Sequence, residues 1–245
     1  MKIVGYKKKK NNIYEIKFQN NNSIELYDDI ILKYELLLKK EVSEVDLIKI
    51  EEDNNYTKSY YEALKYISVK LRTEKEIRKK IKDYDKKVVD KVIKRLKEEG
   101  YINNKLYIKS YVNDEINLNC VGPNKILFDL VKLDFDENEI KNYLDNFDDD
   151  TWLSKIDKYI NKKISGNRNM SGLLLKQKII KELLNKGFYK EDINKIIDNY
   201  SFIDDSAIYE KEYNKLKSKL SKKYSDEELE YQIKSRLYKK GFNIK

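Results

Sequence analysis

The sequence of 245 residues contains no histidine, one cysteine, one proline and seven glycines. The absence of histidine excludes imidazole acid–base chemistry, Ser-His-Asp and Cys-His centres, and Cys/His zinc sites. The single cysteine, Cys120, cannot form a disulfide within the chain; we interpret it as a small buried side chain that fits a reducing compartment. The scarcity of proline and glycine leaves few helix breakers and favours α-helix.

Signals for membranes and for common enzyme sites are also missing. No run of about 18 apolar residues exists, and four lysines follow the first six residues, so neither a membrane span nor a signal peptide is predicted. There is no Gly-x-Gly-x-x-Gly motif or Walker loop, and Gly166 and Gly172 are too isolated to hold phosphate. We interpret Asp148–Asp150 as a polar joint before a helix rather than a metal site. We therefore expect a cytoplasmic protein without catalytic activity, cofactor or metal.

Charge is abundant and unevenly distributed. Charged residues make up 39% of the chain, and the formal net charge is +9. The net charge is −1 over residues 1–57, +9 over 58–112, −8 over 113–157 and +9 over 158–245. Two basic blocks therefore flank an acidic one, and local fields follow these blocks rather than the mean. Only five of the 52 basic residues are arginine, which argues against sequence-specific reading of bases.

The first 57 residues differ in pattern from the rest. Two short runs with partial alternation of apolar and polar residues, 12–18 and 23–27, flank an Asn-rich segment and predict a β-hairpin. Helical spacing begins near Asp29, a second short helix is predicted from Ser43, and residues 51–55 are interpreted as a polar joint. Because an isolated hairpin is marginally stable in water, we expect it to pack on another part of the chain.

Beyond residue 57 the pattern is helical, with clear signals for helix ends. Thr73 and Glu76 predict a capping box, in which a hydroxyl and a carboxylate three residues apart satisfy each other's backbone N–H groups. Gly100 supplies the left-handed residue that ends a helix. Further cap signals are Pro123 at a first helical position and the pairs Asp136–Glu139 and Ser225–Glu228.

Apolar positions recur with a spacing of about 53 residues, which predicts an internal repeat. The matched sets are Ile77, Ile126, Ile179 and Ile233; Ile81, Leu130, Leu183 and Leu237; Phe135, Phe188 and Phe242; Val89, Ile140 and Ile193; Ile93, Leu144 and Ile197; and Leu96, Phe147 and Tyr200. Each unit is predicted to contain three helices, and three short helices bury too little alone, so neighbouring units share faces. The alternative is one irregular helical domain whose spacing mimics repetition.

The repeat predicts a mainly α protein of tandem three-helix modules with a small strand-containing extension at its N-terminus. The predicted segments are 1–57 (hairpin and helix extension), 58–112, 113–160 and 161–213 (three-helix modules), and 214–245 (a partial fourth module).

Basic side chains outside the predicted apolar stripes are the candidate binding residues, because lysine and arginine can follow a phosphate backbone. In the first module they are Arg72, Lys75, Arg78, Lys79, Lys82, Lys86, Lys87, Lys91, Lys94 and Arg95. In the third module they are Arg168, Lys176, Lys178, Lys181 and Lys186.

The segment Ala63–Ile77 resembles the opening module of the RecX family, bacterial regulators of the RecA recombinase. The shared pattern is Ala63-Leu64, then Leu71, then Arg72-Thr73-x-x-Glu76-Ile77. Further likenesses are the joint Gly100-Tyr101-Ile102-Asn103-Asn104, the helix start Gly122-Pro123, the turn Lys186-Gly187-Phe188, and Phe202-Ile203-Asp204-Asp205. The resemblance covers roughly residues 58–245. The chain departs from the family where Asn103-Asn104 replaces a pair of aspartates, and where Asn117–Cys120 replaces residues that are usually basic.

The resemblance implies an elongated, curved array of helices that lies in the groove of a RecA–DNA filament. It implies a non-enzymatic regulator, expected as a monomer, that limits recombinase and coprotease activity in DNA repair, recombination and the SOS response. The partners implied are the RecA filament and the DNA phosphate backbone, read without sequence specificity. Two other functions stay open: a stand-alone DNA-binding protein of helix-turn-helix type, and a helical scaffold whose lysine content reflects A/T-rich codons.

Overall fold

The computed structural model describes residues 1–202 and 206–244, and these ranges contain three strands and twelve helices. The strands are β1 (Ile3–Lys8), β2 (Ile13–Phe18) and β3 (Ser23–Tyr27). The helices are α1 (Asp28–Lys33), α2 (Glu44–Ile67), α3 (Glu74–Lys80), α4 (Lys86–Glu98), α5 (Asn104–Leu118), α6 (Pro123–Val131), α7 (Glu137–Leu144), α8 (Asp149–Ser165), α9 (Gly172–Asn185), α10 (Lys190–Ile197), α11 (Ser206–Leu220) and α12 (Asp226–Lys239). None of the helices in the described ranges could cross a membrane by length and apolarity.

The three strands form an antiparallel sheet in the order β1-β2-β3. The predicted hairpin is confirmed as β2–β3, and β1 adds a further strand on its outer side. One face of the sheet buries Ile16, Phe18 and Leu26 against Ile30 of α1 and Ile50 of α2. The hairpin is therefore stabilised by packing on helices, since two or three small strands alone bury too little apolar surface.

The predicted polar joint at residues 51–55 is wrong, because α2 runs through it without a break. No glycine or proline interrupts the segment, and its polar side chains bind the neighbouring elements. The Asn54 side chain accepts a hydrogen bond from the backbone N–H of Tyr27 (3.1 Å) and donates one to the carbonyl of Glu25 (2.9 Å). Asp53 pairs with Lys33 at 2.5 Å. The polar side chains in this segment make tertiary contacts, and the helix does not end there.

The three helices α2, α3 and α4 form a small bundle. Its core contains Tyr60 and Ala63 from α2, Ile77 from α3, and the predicted stripe on α4 (Val89, Val92, Ile93 and Leu96). The Thr73–Glu76 capping box is present at the start of α3. Gly100 ends α4 in the left-handed conformation, with φ of 79°. Local cap signals therefore fix the helix ends, and the apolar stripes bring the helices together.

Equivalent positions of the predicted repeat are buried alike in five of the six matched sets, whereas Leu96 is buried and its counterparts Phe147 and Tyr200 are half-buried. Ile77, Ile126, Ile179 and Ile233 are each fully buried, and so are Ile81, Leu130, Leu183 and Leu237. The tandem three-helix architecture is confirmed by this shared register. Two cap predictions differ in outcome. Asp136 accepts a hydrogen bond from the backbone N–H of Glu139, whereas Ser225 makes no side-chain cap bond.

Successive helix starts dock on left-handed turns further along the chain. The N–H groups of Gly122 and Asn124, at the start of α6, donate to the carbonyls of Lys186 (2.8 Å) and Gly187 (3.1 Å). The hydroxyl of Ser171, at the start of α9, donates to the carbonyl of Lys240 at 2.8 Å. The two bonds at the start of α6 satisfy backbone N–H groups that a helix N-terminus leaves without intrahelical partners.

The Cα positions group into two compact units, Met1–Tyr107 and a second that begins at Ile108. The predicted module boundaries after residues 57, 112, 160 and 213 fall inside α2, α5, α8 and α11. The division into those particular segments stays a prediction. Of the Phe202–Asp205 motif, residues 203–205 lie outside the described residues.

Candidate nucleic-acid interface

Some of the candidate cations are held by the fold. Arg72 has only 13% of its side chain exposed, pairs with Glu76 at 3.2 Å and stacks 3.8 Å from the centre of the Tyr66 ring. Because Glu76 also completes the capping box of α3, Arg72 fastens the end of α2 to the start of α3. Its contacts are those of a structural arginine. Lys75 lies exposed on the first turn of α3.

Two more arginines of the first bundle are engaged by carboxylates. Arg78 contacts Glu74 at 2.7 Å and Asp90 at 2.6 Å, and these hydrogen bonds, the one to Asp90 first, raise the pKa of its guanidinium. Arg95 contacts Glu99 at 2.8 Å and lies 3.9 Å from the centre of the Tyr60 ring. The hydrogen bond to Glu99 likewise raises the pKa of Arg95. Arg78 joins α3 to α4, and Arg95 joins α4 to α2. Both guanidinium groups are only partly exposed to solvent.

Five lysines remain around the turn between α3 and α4, and we call them the α3–α4 lysine surface. All five are exposed, and none makes an ion pair with another residue of the described ranges. They are Lys79, Lys82, Lys86, Lys87 and Lys91. The next candidate, Lys94, is 3.8 Å from Glu98 and also strongly exposed. Because α3 and α4 are joined by a short turn, these five exposed positive charges lie close together along the chain.

This surface borders a groove of about 1030 Å³ within the first unit. Lys87, Lys91 and Arg95 contribute to one wall, whereas Glu52 and Asp53 come from α2. Positive and negative groups therefore face one opening. Such a groove suits a partner that carries both signs of charge, as a protein surface does.

The candidates in the third predicted module are divided in the same way. Lys176 pairs with Asp198 at 3.1 Å, Lys186 lies 5.4 Å from the centre of the Tyr159 ring, and Arg168 donates to the carbonyls of Ser165 and Asn167 at 2.8 Å each. In contrast, Lys178 and Lys181 are exposed and make no ion pair with a described residue. Two of the five candidates are thus available for a partner.

A small cleft of about 250 Å³ collects part of this set. It lies between the end of α8 and the start of α9, and Lys162, Arg168 and Lys178 are among its lining residues. Sequence reasoning missed Lys162, because it considered the basic residues from Arg168 onward. The signal available was the cluster of lysines at the end of α8, next to the loop that carries Arg168.

The shifted pKa values of several described residues have local causes. Hydrogen bonding to Asp29 raises the pKa of Tyr61 to about 12, and burial together with a hydrogen bond to Glu62 raises the pKa of Tyr84 to about 12. Burial also raises the pKa of the Cys120 thiol. These groups keep their protons at neutral pH. Within the described residues, no three acidic or cysteine side chains are grouped so as to hold a metal ion.

The tandem helical bundles define a helical-repeat protein, and part of its surface carries exposed lysines without ion-pair partners among the described residues. The family model for the first three-helix domain of RecX matches residues 60–96, which span the end of α2, α3 and most of α4. The regulatory protein RecX of Streptococcus pneumoniae serotype 19F (strain G54) is 30% identical over 250 residues, covering 100% of this chain and 96% of the relative. That of Streptococcus agalactiae serotype III (strain NEM316) is 31% identical over 251 residues, covering 99% and 95%.

Solved structures agree with these relatives. A crystal structure of regulatory protein RecX is similar with a TM-score of 0.66 and 26% identity, covering 81% of this chain and 100% of that one. The crystal structure of RecX from Lactobacillus salivarius has a TM-score of 0.54 and 30% identity, covering 60% and 97%. The chain belongs to the RecX family of regulatory proteins.

Proposed function

We propose that this protein binds RecA and RecA–DNA filaments and modulates, mainly inhibits, recombinase and coprotease activity. The observation that carries the proposal is the likeness to regulatory protein RecX over the whole chain. The residue motifs resemble those of a family of RecA regulators. The tandem bundles offer an extended set of helix faces that suits binding to a filament.

The α3–α4 lysine surface supports the nucleic-acid part of the proposal. Its five lysines have no carboxylate within ion-pair distance among the described residues, so they are available to neutralise phosphates and thereby release the cations condensed on a nucleic acid. Lysine acts as a point charge and does not read base edges in the two-pronged manner of arginine. The expected contact is therefore with phosphate and insensitive to sequence.

The mixed charges of the neighbouring groove support the protein part of the proposal. Lys87 and Lys91 belong both to the lysine surface and to the groove that contains Glu52 and Asp53. A filament presents DNA phosphates and protein side chains next to each other. Individually weak contacts on several modules would add through avidity.

The proposal is tested by adding the protein to RecA during strand exchange and DNA-dependent ATP hydrolysis. We expect inhibition at substoichiometric to equimolar ratios, together with co-sedimentation with filaments that weakens between low and high salt. No effect on either activity at several-fold molar excess over RecA would contradict the proposal. Tight, sequence-preferring binding to naked duplex would instead support a stand-alone DNA-binding protein.

The surface is tested by reversing charge at four unpaired lysines, in the variant K82E/K86E/K87E/K91E. A matched control reverses four exposed, unpaired lysines elsewhere in the same unit, K7E/K17E/K40E/K49E. Both variants change the net charge equally. We expect at least about tenfold weaker filament binding for the first variant relative to the control, because several phosphate contacts are lost. Arg78 and Arg95 are left unchanged, since glutamate there would face Glu74 and Glu99 and disturb the fold. Equal binding by the two variants would remove this surface from the interface.

A further inference from the structure

A groove of about 450 Å³ lies between the last two helices, α11 and α12. Five of its six lining residues are cations, and the sixth is apolar. They are Lys215, Leu216, Lys219, Arg236, Lys239 and Lys240. The groove falls in the predicted partial fourth module, and none of its lysines or its arginine was among the candidates drawn from the sequence.

Helical geometry explains how the charges converge. Lys215 and Lys219 are four residues apart on α11, and Arg236 and Lys239 are three apart on α12, so each pair lies on one face of its helix. The apolar positions Leu216, Ile233 and Leu237 lie beside these faces and pack the two helices together. The basic faces therefore flank the line along which the helices meet.

The carboxylate of Glu212, next to this groove, already has lysine partners. Glu212 is 4% exposed and accepts a hydrogen bond from Lys240 Nζ at 2.5 Å, while Lys215 Nζ lies 3.9 Å from its other oxygen. The hydrogen bond to Lys240 lowers the pKa of Glu212, so this pair stays ionised at neutral pH. In the described chain, Lys219, Arg236 and Lys239 have no such partner.

The composition of the groove indicates the chemistry of its occupant. The wider groove of the first unit contains carboxylates among its cations, whereas no residue lining this one is acidic. Protein–protein interfaces are depleted in lysine, while interfaces with nucleic acid are strongly positive. We propose that the α11–α12 groove is a separate site that binds the phosphodiester backbone of nucleic acid without the help of a recombinase.

The test compares two double substitutions on the same two helices. K219A/R236A removes two unpaired cations from the groove. K217A/K234A removes two exposed cations from the outward sides of α11 and α12, because each position lies two residues, or about 200° around the helix, from its counterpart. The control therefore loses the same charge from the same elements. Lys240 is kept, since it holds the buried Glu212.

Binding of the full chain to a fluorescein-labelled single-stranded 20-mer is followed by fluorescence anisotropy over a range of salt concentrations, with no RecA present. Each lost phosphate contact on a single strand lowers the salt slope by about 0.7. For K219A/R236A we expect a slope smaller by about 1.4, which corresponds to about 25-fold weaker binding at 0.1 M salt when extrapolated from 1 M. The control should bind within about threefold of the parent protein.

Equal affinity and slope for the two variants would overturn the proposal. So would unchanged binding to the oligonucleotide by K219A/R236A combined with weaker binding to RecA alone, because the groove would then bind an acidic protein surface. Trp152 fluorescence and far-ultraviolet ellipticity report whether each variant is folded. Since the assay contains no recombinase, its failure would leave the proposed RecA regulation standing.

Discussion

The turn after α6 and the turn after α9 occupy equivalent places in the repeat. Asp134 in the first turn and Gly187 in the second both have left-handed backbones, with φ of 67° and 83°. Asp134 is exposed, whereas a Cβ atom on Gly187 would lie 2.3 Å from the backbone nitrogen of Lys125. The same left-handed conformation thus occurs in both turns, and at Gly187 the close approach of α6 adds a requirement for glycine.

The requirement for glycine comes from the helix whose start packs on the turn. The start of α6 packs on Gly187, and the start of α9 packs near Gly241, which follows α12 with φ of 77°. Aspartate is tolerated in a left-handed turn because its short polar side chain can bind locally. Only glycine allows another backbone to approach so closely. The repeat therefore keeps the left-handed turn, and glycine is required where the start of another helix packs on it.

The strongest test of this difference is Gly187→Ala. We expect a loss of about 2–5 kcal/mol in the free energy of unfolding, since alanine adds left-handed strain and a clash with the backbone of α6. The measurement is urea unfolding followed by far-ultraviolet ellipticity, because Gly100 lies in the first compact unit and Gly187 in the second, and both units are rich in helix. Gly100→Ala is the control, because nothing lies within 4 Å of its added Cβ, and it should cost about 1–2 kcal/mol. Equal losses would show that docking contributes nothing.

A second test concerns the lysine that precedes each glycine. Lys186 lies over the Tyr159 ring, whereas Lys240 pairs with Glu212, the residue 53 positions after Tyr159. Glu212→Gln should cost about 1.5–3 kcal/mol at neutral pH, since a buried charge-assisted hydrogen bond is lost. Lys186→Ala should cost only about 0.5–1 kcal/mol, the usual value of an exposed cation–π contact.

The Glu212→Gln effect should also depend on pH. Bonding to Lys240 lowers the pKa of Glu212 from its usual 4.5, so the stabilisation is present above that value and disappears as the pH falls through the lowered pKa. Unfolding measured at pH 7 and near pH 3 checks the sign. A difference between variant and parent that grew on acidification would contradict this account.

Much of the architecture could be predicted because it depends on residues close together in the chain. The capping box at Thr73, the apolar stripe from Val89 to Leu96 and the recurrence of Ile77 at Ile126 and Ile179 are local or periodic patterns, and each is present as predicted. The predicted break in the helix at residues 51–55 was wrong, because a segment of polar residues can have two structural roles. A polar segment can end a helix, or it can bind another element, as Asn54 binds the sheet.

The candidate binding surface could be predicted only in outline. The sequence determined where positive charge accumulates, which residues face a core and which family the motifs resemble, since these follow from composition and spacing alone. Tertiary structure decided which cations are already paired: Arg72, Arg78 and Arg95 have carboxylate partners, while Lys82, Lys86 and Lys87 form no ion pair within the described part of the chain. It also brought Lys219 and Arg236 to one groove from separate helices. The physical reason is that an ion pair needs a few ångströms of proximity in space, which only the packed helices provide.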